Sequence, residues 1–81
     1  MGTARVKPSR LGEKFLGIRR RSDNSLSQMA ALLSDDSVKI RRQDISRFEK
    51  GEREPNLIVL LHYARLARVP IEVLIDDNLN L

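Results

Sequence analysis

The stretch that decides the fold is residues 41–55, RRQDISRFEKGEREP. In a helix, Ile45 and Phe48 lie three residues apart on one face, which can anchor in a core. Gly51 follows where a helix end needs a residue that tolerates a left-handed backbone. Pro55 then prevents the helix from resuming at once, because the residue before a proline avoids helical geometry. The stretch therefore predicts a short helix with a defined end.

The opposite face of this helix, residues 41–50, is polar and basic. Arginine pairs bidentately with guanine and glutamine with adenine in the major groove of DNA, so such a face suits the reading of base edges. In an isolated segment it is more often only a solvated surface, and the rest of the chain reverses that preference. The polar residues of this face are Arg42, Gln43, Ser46, Arg47 and Lys50.

Length and composition limit the class of protein. A chain of 81 residues forms one small domain, and without cysteine it has neither a disulfide nor a thiolate metal site. One histidine and no convergent acid–base pair argue against an enzyme and against any metal or cofactor. No apolar run reaches the length of a membrane span and no signal peptide opens the chain, so we expect a cytoplasmic protein without a membrane partner.

The positive charge is concentrated in one part of the chain. The net charge is +4, but residues 1–53 carry 13 Lys or Arg against 7 Asp or Glu, whereas residues 54–81 carry 2 against 4. Such asymmetry indicates that one end of the molecule meets a polyanion.

Two further helices are predicted before residue 41. Ser9 is a suitable N-cap for a first helix, residues 10–21, which closes on three arginines that oppose the helix dipole. Ser25 and Gln28 form a capping box that opens a second helix to about residue 33. Residues 34–40 then make a connection that is long for two packed helices.

Two more helices are predicted after the basic helix. Asn56 caps a fourth helix, residues 57–68, and Pro70 opens a short fifth helix, residues 71–76. A lone histidine within the fourth helix, His62, is expected to be structural. The predicted apolar stripe of the fourth helix comprises Leu57, Leu60, Leu61, Ala64 and Ala67.

Laid out in this way, residues 10–76 resemble the lambda-repressor-like (Cro/Xre-type) helix-turn-helix family. The strongest match is DISRFEKGEREP, residues 44–55, which is similar to the family signature Ile-Ser-x-aromatic/aliphatic-Glu-x-Gly-x-Arg-x-Pro. The segment VPIEVL, residues 69–74, resembles the opening of the family's fifth helix. The resemblance implies an all-α, compact five-helix domain over residues 9–77, with helices two and three as the helix-turn-helix. A flexible N-terminal arm (1–8) and a C-terminal tail (78–81) flank it.

The resemblance also implies roles for individual residues. Helix 41–50 becomes the recognition helix, with Arg42, Gln43 and Arg47 as base readers. Asp44 and Ser46 are further candidates, and Asp44 could either accept a hydrogen bond from cytosine or orient a neighbouring arginine. The predicted phosphate contacts, which include backbone amides at the start of helix two, are Ser25, Leu26, Gln28, Arg41, Lys50, Arg53 and Asn56.

One acid of the recognition helix has a different implied role. In the family, the glutamate at the position of Glu49 commonly pairs with an arginine at the end of helix one, which is Arg19 here. The chain departs from the family at Leu26, where glutamine is usual, and in the longer turn, where Asp35 and Asp36 stand.

The sequence thus predicts a sequence-specific double-stranded DNA-binding transcriptional regulator, most simply a repressor, associated with the nucleoid when bound. We expect a homodimer and no small-molecule ligand. The alternative is an antitoxin or adaptor that uses the same fold to bind a protein partner. Residues that serve either the dimer contact or the core are Ile71, Ile75, Leu79 and Leu81.

Overall fold

The computed structural model of the chain describes residues 8–81, which contain five helices and no strand. The helices are α1 (Leu11–Arg21), α2 (Leu26–Leu33), α3 (Arg42–Glu49), α4 (Leu57–Ala67) and α5 (Ile71–Ile75). Each begins and ends within one residue of its predicted bounds. The predicted arm lies, except for residue 8, outside the described residues. No helix in the described range is long and apolar enough to cross a membrane.

Two of the predicted helix caps are present as expected. Ser25 Oγ accepts a hydrogen bond from Gln28 N at 3.1 Å, while Gln28 Oε1 accepts one from Ser25 N at 2.7 Å. Asn56 Oδ1 accepts from Val59 N at 2.9 Å and so caps α4. Both caps use only neighbouring residues, which is why local sequence is enough to predict them.

The predicted cap of α1 is wrong. Arg10 occupies the N-cap position, and Ser9 donates instead from its backbone N and its Oγ to Asp77 Oδ2 at 3.0 and 2.9 Å. Arg10 N donates to the other oxygen of Asp77 at 3.1 Å. A carboxylate from the far end of the chain thus binds the start of α1, and these hydrogen bonds lower the pKa of Asp77.

The core is centred on Phe15 of α1. Its ring stacks on Tyr63 of α4 at a centroid distance of 4.0 Å and lies 6.4 Å from Phe48 of α3. Ile45 of α3 is also fully buried, so α3 is held to the core by the two apolar residues that the sequence predicts.

The predicted stripe of α4 is partly wrong. Leu60 and Ala64 are buried, but Leu57 is 73% exposed and the helix buries Val59 and Tyr63 instead. Leu61 and Ala67 are only half-buried. Apolar residues surround much of this helix, so periodicity alone could not choose the buried face. In the observed packing, the buried face of α4 is the one from which Tyr63 stacks on Phe15.

The C-terminal residues pack against α1. Lys14 is buried, and its Nζ donates to the carbonyl oxygens of Val73 and Asp76 at 2.7 and 2.8 Å, at the end of α5. Leu81 packs against the core, which is one of the two roles left open for it, whereas Leu79 is 40% exposed. The role of Lys14 was missed because a lysine gives no sequence signal for burial.

Gly12 permits close contact between α1 and the end of α3. A Cβ atom at this position would lie 2.7 Å from the carbonyl oxygen of Glu49 and 3.0 Å from that of Phe48. Neither oxygen is at the end of a flexible side chain, so the backbone would have to move.

We expect Gly12→Ala to lower the free energy of unfolding by roughly 1–3 kcal/mol, as overpacking of a tight contact does. Gly17→Ala is the matched control within α1, because its Cβ would meet only Leu81 Cδ1 at 3.4 Å. The control should be neutral or stabilising by up to about 1 kcal/mol, since alanine favours helix over glycine. Urea unfolding of both variants measures the difference, and equal stability would contradict the close contact.

Tyr63 provides a test of core packing by pH. It is the only tyrosine of the chain, its hydroxyl is buried without a hydrogen-bond partner among the described residues, and burial raises its pKa. Burial of the neutral Tyr63 ring stabilises the folded state fully below the ordinary tyrosine pKa of about 10. Because the pKa is higher in the folded state, this stabilisation is lost as the pH rises above that value.

Tyrosinate absorbance in the native protein should therefore appear only together with loss of helical circular dichroism. The same titration in denaturant should show an ordinary tyrosine pKa. Tyrosinate formed near that ordinary pH while the helices remain intact would show that water reaches the ring.

Candidate nucleic-acid interface

The two faces of α3 differ sharply in burial. Ile45 and Phe48 are inside the core, while Arg42, Gln43 and Arg47 are exposed on the other side. Ser46, another predicted base reader, is half-buried. The structure thus brings the three leading candidates together on one solvent-facing surface of a rigidly anchored helix.

Asp44 defines where α3 begins. Its Oδ2 accepts a hydrogen bond from Arg41 N at 2.9 Å, and its own N donates to the carbonyl oxygen of Arg41 at 3.0 Å. An arginine side chain cannot accept a hydrogen bond, so Asp44 alone provides the side-chain capping at this end. Arg41 is the N-cap and is exposed.

The other oxygen of Asp44 pairs with the turn that follows α3. Arg53 Nη1 donates to Asp44 Oδ1 at 2.8 Å, and the Arg53 guanidinium lies 5.8 Å from the centre of the Phe48 ring. Gly51, with a φ of 73°, ends the helix in the predicted left-handed conformation. The chain therefore turns back after α3, and the Arg53 side chain contacts Asp44 and Phe48 of that helix.

Arg19 and Glu49 form a bidentate ion pair between α1 and α3. Arg19 Nε donates to Glu49 Oε2 at 2.7 Å and Nη2 donates to Oε1 at 3.0 Å. Arg19 Nη1 also donates to the carbonyl oxygen of Asn24, at 3.2 Å, in the turn before α2. The hydrogen bonds to Glu49 raise the pKa of Arg19. One guanidinium therefore connects α1, the turn before α2 and the end of α3.

The start of α2 presents backbone amide donors beside its capping box. Ser25 and Gln28 cap each other, and the side chain of Leu26 packs against the core. The amide groups of Leu26 and Ser27 remain at the helix N-terminus, where the helix dipole favours an anion.

The long connection between α2 and α3 is ordered by Asp35. Its Oδ1 accepts from Ser37 N, Ser37 Oγ and Val38 N at 2.8–2.9 Å, and these bonds lower its pKa. Its Oδ2 lies 3.3 Å from His62 Nε2 on α4. The other ring nitrogen of His62 is 2.9 Å from the carbonyl oxygen of Leu33. His62 therefore has a structural partner that the sequence did not reveal.

The remaining predicted phosphate contacts lie around α3. Lys50 is exposed at its end, and Asn56 is exposed in the following turn, with its Oδ1 used for the cap of α4. Within residues 8–81, no three His, Cys, Asp or Glu side chains cluster in a way that could hold a metal ion.

This arrangement defines an all-α helix-turn-helix domain with the lambda-repressor-like fold, so the predicted fold class is confirmed. The chain is similar in structure to the P22 c2 repressor protein, which was solved in complex with synthetic operator 9T in the presence of Tl+. The TM-score is 0.71 at 19% sequence identity, over 83% of this chain and 94% of that chain. No family model matches the sequence, and no curated protein matches it.

The Arg19–Glu49 pair should show strong energetic coupling. Arg19 and Glu49 side chains are only 21% and 8% exposed, so removal of one partner leaves a poorly solvated charge. A double-mutant cycle of Arg19→Met and Glu49→Gln in urea unfolding should give a coupling of about 0.5–3 kcal/mol.

The same cycle at Arg10 and Glu13 provides the control, because that pair is closer to the surface, with 33% and 67% exposed side chains. Its coupling should be clearly smaller, since solvent screens exposed pairs. Equal coupling in the two cycles would contradict a special role for Arg19 and Glu49.

Proposed function

We propose that the chain is a sequence-specific double-stranded DNA-binding transcriptional regulator, most simply a repressor, that reads the major groove with α3. The observation that carries this proposal is the division of α3 into two faces. Ile45 and Phe48 fix the helix to the core, while Arg42, Gln43 and Arg47 stand exposed on the other side. The backbone of such a helix is already fixed, so only its side chains have to be ordered when they meet base edges.

Electrostatics supports the same proposal. Arg41 and Lys50 are exposed at the two ends of α3, and both Arg53 and the amide groups that start α2 lie on neighbouring elements. Contacts from these groups to phosphates would set the register of the protein on the duplex, whereas the α3 side chains would select the sequence. The similar P22 c2 repressor was solved with an operator, which supports this use of the fold.

We propose that the regulator acts as a homodimer on a two-fold site, because a single recognition helix covers few base pairs. Ile75 and Leu79, at and beyond the end of α5, are 44% and 40% exposed and remain candidates for the dimer contact. Ile71 and Leu81 pack against the core and are weaker candidates.

One observation favours the alternative of an antitoxin or adaptor. An apolar groove is lined by the start of α1, the turn before α4, α4 itself and α5, and Leu57 in its wall is 73% exposed. Exposed apolar surface of this kind is typical of protein contacts. A protein-binding role as the main function predicts that any DNA binding is insensitive to the α3 side chains.

Fluorescence anisotropy with a selected and a random duplex, at two salt concentrations, tests the proposal. Arg47→Ala should weaken binding to the selected duplex by about 5- to 150-fold and weaken binding to the random duplex much less, because a lost base contact costs about 1–3 kcal/mol. Arg65→Ala is the matched control, since Arg65 is an exposed arginine on α4.

Lys50→Ala should behave differently from both variants. Loss of a phosphate contact weakens binding to both duplexes and lowers the salt slope by about 1. Failure of the unmodified protein to bind any duplex at low salt, or equal effects of Arg47→Ala and Arg65→Ala, would overturn the DNA-reading function.

A further inference from the structure

Asp44 is engaged on both carboxylate oxygens before any ligand is considered. Oδ2 accepts from Arg41 N at 2.9 Å and Oδ1 accepts from Arg53 Nη1 at 2.8 Å. The side chain is only 17% exposed. A carboxylate has about four acceptor sites, so two remain, but so little of this side chain is exposed that its oxygens are poorly accessible to a cytosine amino group.

Arg53 is held in place yet remains accessible. Asp44 binds one of its nitrogens, and the Phe48 ring lies under the guanidinium at 5.8 Å. More than half of the side chain is nevertheless exposed, at 56%. The planar guanidinium carries five N–H donors in fixed geometry, so donors beyond the one used by Asp44 are available to a second anion.

We propose that Asp44 is a positioning residue and not a base reader: it holds Arg53 so that the remaining guanidinium donors meet a phosphate of the DNA backbone. This inference rests on the DNA-binding function proposed above. A free arginine side chain loses much rotamer freedom when it binds, and an arginine already fixed by a carboxylate and an aromatic ring loses less.

The proposal predicts a change in DNA affinity that is opposite to the change expected from net charge alone. Removal of a negative charge from a DNA-facing surface should strengthen binding to a polyanion if charge alone matters. If Asp44 positions Arg53, the same removal weakens binding. Because a phosphate contact carries no sequence information, selected and random duplexes should be affected alike.

The test uses Asp44→Asn and Asp44→Glu, each with Arg53 intact and in an Arg53→Ala background. We expect Asp44→Asn to weaken binding to both duplexes several-fold. Asp44→Glu should instead bind both duplexes about as tightly as the unmodified protein, because glutamate at this position keeps the carboxylate and can still cap the start of α3. With Arg53→Ala, which by itself should lower the salt slope by about 1, Asp44→Asn should cause no further loss.

Three results would overturn the proposal. Unchanged or tighter binding of Asp44→Asn would mean that Asp44 affects DNA binding only through its negative charge. A loss confined to the selected duplex would make it a base reader. An equal loss with and without Arg53 would show that it acts through the start of α3.

A measurement without DNA separates this proposal from the function on which it rests. Nitrogen-15 relaxation of the Arg53 Nε–H group should show a rigid side chain in the unmodified protein and a flexible one in Asp44→Asn. Equal relaxation in the two proteins would overturn the positioning role even if DNA is bound. Absence of duplex binding by the unmodified protein would overturn the DNA-binding function and the phosphate contact with it, while the relaxation data would still report the Asp44–Arg53 contact.

Discussion

The burial of Ile45 and Phe48 is the constraint on which the proposed interface depends. Removal of two large apolar side chains from water stabilises α3 against the core, and it does so only when this one face of the helix points inward. The opposite face is then exposed by geometry and not by any separate interaction. Apolar contact is non-directional, so it does not by itself set the orientation of the helix. The bidentate Arg19–Glu49 pair has a defined geometry and orients the end of α3 relative to α1.

Three of the acids near α3 are paired within the protein. Glu49 binds Arg19, Asp44 binds Arg53, and Asp35 in the long connection is held by its own loop and lies beside His62. An unpaired carboxylate near a phosphate backbone would repel it, so these contacts would reduce an electrostatic cost of the proposed DNA binding. The exposed cations on and beside α3 agree with the basic excess of residues 1–53.

Sequence prediction succeeded where the physical cause is local. The Ser25–Gln28 capping box, the Asn56 cap, the left-handed Gly51 and the apolar spacing of α3 each depend on residues within one or two turns, and all are found as predicted. Prediction failed where a distant group competes. Ser9 binds Asp77 instead of capping α1, Lys14 is buried because it caps α5, and α4 buries a face that includes Tyr63.

The sequence by itself determined the five helices, their class of fold and the identity of the basic helix, because periodicity and capping are encoded over short distances. The resemblance to a known family also indicated the Arg19–Glu49 pair, which the structure contains. Only the tertiary structure decided which partners Asp44 and His62 have and which face of α4 is buried. Those outcomes depend on contacts between residues far apart in the chain, and they are settled by packing in three dimensions.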